Sequence, residues 1–121
     1  MATLQVELVA ADRAVWSGEA SMVLARTLDG DIGVLPGHQP VLGILVDGSV
    51  TIRATDGTIE AAVHGGFFSV SENRVSILAE TAELASEIDV QRAEKAAVRA
   101  RQDGSQDELD RAETRIRVAS L

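Results

Sequence analysis

From Thr3 to Ala79 the dominant hydrophobic period along the chain is two. Leu4, Val6 and Leu8 alternate with Gln5, Glu7 and Val9; Val50, Ile52 and Ala54 alternate with Thr51 and Arg53; Ile59, Ala61 and Val63 alternate with Glu60 and Ala62. A strand sends successive side chains to opposite faces, so this pattern predicts half-buried strands that each put one row into a core. Turn signals recur at short intervals: Ser17-Gly18, Asp29-Gly30, Pro36-Gly37, Asp47-Gly48, Asp56-Gly57, Gly65-Gly66 and Ser71-Glu72-Asn73. Glycine and Asn/Asp suit such points because the chain there often needs positive φ. Asp56-Gly57, flanked by alternating segments, is the sharpest hairpin signal. Several short strands at this spacing imply an antiparallel sandwich or barrel.

After Leu84 the pattern changes. Ala, Glu, Arg and Gln dominate, and no glycine occurs until Gly104. Val90, Ala93, Ala97 and Ala100 recur at intervals of three and four, as do Leu109, Ala112, Ile116 and Ala119 beyond the break at Asp103-Gly104-Ser105. This is helical spacing, and Ser105 followed by Glu108 has the form of a capping box that restarts a helix. Two helices joined by so tight a turn lie antiparallel, stripe against stripe. The reading divides the chain into a β domain over 1–84 and a helical hairpin over 85–121. Alanine methyl groups bury little area, so the hairpin is expected to be marginal by itself and able to detach.

Composition narrows the possibilities. The chain has 121 residues, 45% of them hydrophobic, but its aromatic residues are Trp16, Phe67 and Phe68 alone. Its core must be aliphatic, which disfavours an aromatic-lined ligand cavity. A formal net charge of −8 opposes attraction to nucleic-acid phosphates and to anionic lipid, so no nucleic-acid partner is expected. Cysteine is absent, which removes disulfides, thiolate nucleophiles and sulfur-ligated zinc. The opening MATLQVELVA alternates instead of presenting a basic segment and a long apolar run. No segment approaches the roughly 20 apolar residues of a spanning helix, so direct membrane insertion is not expected.

The run Gly30-Asp31-Ile32-Gly33-Val34-Leu35-Pro36-Gly37-His38-Gln39-Pro40 resembles the G-E-L-G-I-x-P-G-H-x-P signature of the epsilon subunits of bacterial F-type ATP synthases. Further matching segments are Gly65-Gly66-Phe67-Phe68-Ser69-Val70, Val75-Ser76-Ile77-Leu78-Ala79-Glu80-Thr81-Ala82-Glu83 and Ile88-Asp89-Val90-Gln91-Arg92-Ala93, in order over nearly the whole chain. The short, acidic hairpin is similar to that of actinobacterial members. The resemblance implies a mainly β protein with added α structure: a ten-stranded antiparallel β-sandwich followed by an antiparallel helical hairpin. It also implies a non-catalytic rotor part of the proton-translocating complex, peripheral at the cytoplasmic face of the cell membrane, clamping the gamma subunit to the c-ring. Asp31 then corresponds to the acidic contact with the ring, and His38, Gln39, Pro40, Val41 and Leu42 to part of the surface facing gamma. In the family an extended hairpin also reaches the catalytic head and blocks ATP hydrolysis. Here Arg111, Arg115 and Arg117 are offset by Asp107, Glu108, Asp110 and Glu113, less basic than such an inhibitor suggests.

The resemblance brings one ligand, ATP in a regulatory role, and no required cofactor. Some bacterial members bind ATP on the folded hairpin through an I/L-D-x-x-R-A motif, which here is Ile88 to Ala93. Glu83, Asp89, Arg92, Arg99, Arg111 and Arg115 are the corresponding binding residues. Four guanidiniums could meet a triphosphate bidentately, while Asp89 and Glu83 accept from base or ribose. The same charges serve equally as ordinary helix-surface pairs.

An enzyme finds little support. There is no Gly-x-x-x-x-Gly-Lys-Ser/Thr loop, His38 and His64 stand apart without metal-ligand spacing, and the serines lack a nucleophile-elbow context, so no catalytic or metal residue is expected. The remaining alternative is a free-standing ATP-sensing module with the same arginines and no motor attached.

Overall fold

The computed structural model describes residues 2–120. Seven strands are followed by two helices: β1 Leu4–Ala10, β2 Arg13–Thr27, β3 Gly30–Val34, β4 Val41–Ile44, β5 Gly48–Ala54, β6 Gly57–Ser71, β7 Arg74–Leu84, α1 Val90–Asp103 and α2 Gln106–Ala119. A 3-10 turn, Ala85–Glu87, links β7 to α1. The mainly β architecture with a helical hairpin is as the sequence implies, but the strand count is seven instead of ten. The reason lies in β2 and β6, each 15 residues long, which hydrogen-bond continuously and serve two sets of neighbours. The first half of β2 pairs with β1 and the second with β5 and β3. The first half of β6 pairs with β5 and the second with β4.

The sheet order β1-β7-β6-β5-β2 is closed by pairing of β2 back onto β1, with β3 and β4 added to β2 and β6. Closure removes the free edges of these five strands. An odd ring cannot alternate direction all the way round, so one contact must be parallel; it falls between β1 and β7. The other pairings are antiparallel.

Two glycine signals read as turns lie inside long strands. The turn after β1 is at Ala11-Asp12, and Ser17-Gly18 belongs to β2. A Cβ at Gly18 would lie 3.0 Å from the Trp16 ring, so glycine there makes room for an indole. Gly65 and Gly66 sit mid-β6 with φ of 66° and 114°. A Cβ at Gly66 would lie 2.1 Å from the Leu78 carbonyl oxygen, so β7 can pass this close only over a glycine. The Asp56-Gly57 hairpin forms as read, and Glu72-Asn73, both at positive φ, turn β6 into β7.

The inward rows of the strands form one core in which Leu4, Leu8, Ile52, Phe68 and Ile77 are fully buried. The hairpin is held differently. Asp89 caps α1 by accepting from the Arg92 amide at 3.1 Å, Gly104 ends it in the left-handed region, and Ser105 caps α2 by accepting from the Glu108 amide at 3.4 Å. Ala93, Ala97 and Ala100 of α1 are buried, as are Ala112, Thr114 and Val118 of α2. Contact with the sandwich is made mainly through α2, which rests on β6 and β5.

Candidate functional site

Three surfaces collect the residues singled out by the sequence. The first is the β2–β3 tip. Asp31 is exposed there, opposite Arg26 in the strand register, and accepts from its Nε at 3.0 Å. Leu28, at the same tip, is also exposed.

The second surface surrounds β4. The preceding loop is fixed by Asn73, whose Oδ1 accepts from the Gly37 amide at 2.7 Å, and by the His38 amide donating to the Leu35 carbonyl at 3.1 Å. His38 is half-buried with its Nδ1 2.7 Å from the Gln39 carbonyl, and Gln39 and Pro40 are exposed. Period two then separates the next residues: Val41 packs against the core, while Leu42 points outward and is 73% exposed. The outward row continues with residues that the sequence reading did not single out. Ile44, Phe67 and Leu78 stand in cross-strand register on β4, β6 and β7, each about half exposed. A signal was present: apolar residues occupy the outward positions of three strands that pair with one another.

The third surface is the hairpin. Glu83, Asp89, Arg92, Arg99 and Arg115 line one cleft of about 480 Å³, together with Glu87 and Lys95. Arg111 is not among the lining residues. Arg115 donates from Nε to Glu83, which ties α2 to the end of β7. The Asp89 carboxylate is engaged in capping α1. Arg92 and Arg99 form no ion pair among the described residues. The floor of the linker is fixed by Arg13, whose guanidinium donates to both Glu87 oxygens at 3.0 and 3.1 Å. Those bonds from Arg13, with one from the Leu84 amide, hold the Glu87 carboxyl below its ordinary value.

Between hairpin and sandwich lies a seam that the sequence did not announce. Ala61, Ala62, Val63 and His64 are all buried, although alternate residues of a strand face opposite ways. Ala61 and Val63 belong to the core; Ala62 and His64 point the other way, under α2. His64 is 1% exposed, and its Nδ1 is 3.4 Å from Asp47 Oδ1. Neither ring nitrogen has a hydrogen-bond partner among the described residues. Burial, then the positive charges of Arg115 and Arg111, lowers the His64 pKa, with Asp47 opposing. Thr114, Arg115 and Val118 share one face of α2 by their helical spacing, with the exposed Arg111 at its edge.

No helix among the described residues is long and apolar enough to cross a membrane, and these residues contain no metal-binding cluster of His, Cys, Asp or Glu. Residues 3–85 match the family model described as the ATP synthase delta/epsilon chain, beta-sandwich domain. An "ATP synthase epsilon chain" of Streptomyces avermitilis is 61% identical over 120 residues, covering 98% of this chain and 97% of that one. The protein of the same description from Corynebacterium urealyticum is 49% identical, covering 98% and 94%. Among solved structures, a chain of the Euglena gracilis mitochondrial ATP synthase (OSCP/F1/c-ring) matches with a TM-score of 0.76 at 23% identity, covering 99% of this chain and 79% of that one. At that identity the likeness speaks for the fold. With the family model spanning most of the chain and full-length relatives well above 30% identity, the chain belongs to the delta/epsilon chain family of ATP synthases.

Proposed function

We propose that this chain acts as the epsilon subunit of an F-type ATP synthase, a non-catalytic joint of the central stalk that binds gamma and the c-ring at the cytoplasmic face of the membrane. The observation that carries the reading is the outward row of Leu42, Ile44, Phe67 and Leu78, exposed on paired strands beside the His38–Pro40 loop. A contiguous exposed apolar surface of this kind marks a protein contact. It extends the expected gamma-facing residues and separates Val41, which supports the core, from Leu42, which supplies contact. Asp31 and Leu28 form the tip offered to the polar loops of the ring.

Leu42→Asp or Phe67→Asp, each placing a charge in a packed interface, is expected to reduce co-purification of gamma by tenfold or more while leaving the fold intact. Undiminished recovery of gamma with both variants would sink this assignment. Failure of the unaltered chain to retain gamma at all would favour the free-standing ATP-sensing module.

The cleft supports a second, regulatory reading: Arg92, Arg99 and Lys95 line it and Arg115 stands at its wall, a cationic set suited to the triphosphate of ATP. In calorimetric titration with ATP, Arg92→Ala is expected to raise Kd by about tenfold or more, the loss of charge-assisted hydrogen bonds. Asp89→Ser keeps a capping oxygen and removes the charge, so weaker binding by this variant indicates a carboxylate contact with the nucleotide. Absence of heat for the unaltered chain at millimolar ATP removes the reading.

A further inference from the structure

The hairpin is seated over a titratable side chain. His64 is buried on β6 outside the sandwich core, on a strand against which α2 rests, and has no hydrogen-bond partner on either ring nitrogen among the described residues. The groups around it come from three elements. Asp47, before β5, puts a carboxylate oxygen 3.4 Å from Nδ1; α2 contributes the charges of Arg111 and Arg115; and Glu83 of β7 holds Arg115 in place. Thr81 is the β7 residue paired across the sheet.

We propose that His64 is a proton-operated latch for the hairpin, which stays docked on the sandwich while the imidazole is neutral and is released when the imidazole takes up a proton. A cation formed at this position would lack bulk water and would face the half-buried Arg115 guanidinium, already bonded to Glu83, with the exposed Arg111 adding a smaller repulsion. The Asp47 carboxylate partly offsets that repulsion, but its contact is long and off the geometry of a hydrogen bond. Lifting α2 removes both arginines and opens the ring to water, and Asp47 remains beside it on the sandwich. The released form is therefore the better proton acceptor.

The sign follows from linkage. The docked state holds the His64 pKa down, chiefly by burial and then through Arg115, so docking is strongest above the ordinary histidine value of about 6.5. As pH falls below that value the released form binds a proton that the docked form does not. The docking constant then drops by up to about tenfold per pH unit until the docked form also protonates. The docking seam is narrow, since α2 alone carries the main contacts, resting on β6, β5 and the 3-10 turn, so such a change is sufficient to matter. This device does not use the gamma contact, and it shares Arg115 and Glu83 with the nucleotide cleft.

The test uses the full chain. Amide-exchange protection factors, which already divide out the intrinsic pH dependence of exchange, are measured for the α2 amides between pH 7.5 and 5. That window lies above the range near 4 where side-chain carboxylates ordinarily titrate. Protection of α2 is expected to fall towards low pH by up to about tenfold per unit, while β1 and β7 amides hold. His64→Leu and His64→Gln should each flatten the α2 response, and retention of the slope in either variant overturns the latch. The ring titration of His64, followed by NMR in the unaltered chain, gives a measurement that needs no variant. A midpoint below 6.5 is expected, and a midpoint at or above it overturns the proposal even if both variants fail to fold.

Discussion

The sandwich and the hairpin are stabilised by different means. In the sandwich, Phe68, Leu4, Leu8, Ile52 and Ile77 are wholly buried, and each is brought into place by strands remote in sequence. The hairpin buries mostly alanine, and its geometry is fixed by local devices: Asp89 and Ser105 at the helix starts and Gly104 at the break. Capping interactions specify where a helix begins but contribute only about 1 kcal/mol each, whereas burying a large apolar side chain contributes roughly 1.5–3 kcal/mol. The chain therefore joins a cooperative platform to an arm whose shape is well specified and whose attachment is weak. On the function proposed above, the first property suits the part that holds partners and the second suits a hairpin that is released.

The contrast can be broken at its strongest point first. Phe68→Ala should cost the sandwich about 3–5 kcal/mol, from lost transfer energy and the cavity left behind, measured by denaturant unfolding. A cost under about 1 kcal/mol would mean that the core is not organised around this ring. Arg115→Ala removes the half-buried bond to Glu83 and should loosen the hairpin by about 1 kcal/mol, allowing for solvent screening, with the main β transition unmoved. Exchange of α2 amides against those of β7 separates the two. An equal loss in both would make the hairpin and sandwich one cooperative unit. The smallest effect is expected from the largest deletion. A chain ending at Leu84 keeps all seven strands and the closed ring, and should still melt cooperatively by circular dichroism. An unfolded product would end the description of the sandwich as self-sufficient.

Much of this was readable from residue order because the relevant physics is local. Alternation in Leu4–Val9, Val50–Ala54 and Ile59–Val63 is a property of neighbouring residues, as are the Asp56-Gly57 turn and the spacing of Ala93, Ala97 and Ala100. The family signature singled out Asp31 and the 38–42 segment; the structure has Asp31 exposed near the start of β3 and the segment running from a loop into β4. Asp89 stood in the motif as a nucleotide contact, and its observed engagement, the α1 cap, was equally available from its place before a helix.

What the sequence left open depends on residues far apart in the chain. A glycine pair marks a demand for positive φ or for space, but not which; at Gly65-Gly66 the demand comes from the backbone of β7 at Leu78, so the strand continues where a turn was read. Strand number likewise depended on whether β2 and β6 stay hydrogen-bonded along their whole length, and the parallel β1–β7 contact arises only when an odd ring closes. His64 looked isolated in sequence because Asp47, Arg111 and Arg115 reach it from separate elements. A hint lay in the run Ala61-Ala62-Val63, apolar on both faces, which says that the second face is covered and leaves the cover unnamed. The sequence by itself determined periods, caps and turns, since these are set within a few residues. Tertiary structure decided which charges meet, because burial and Coulomb interaction act through space and take no account of distance along the chain.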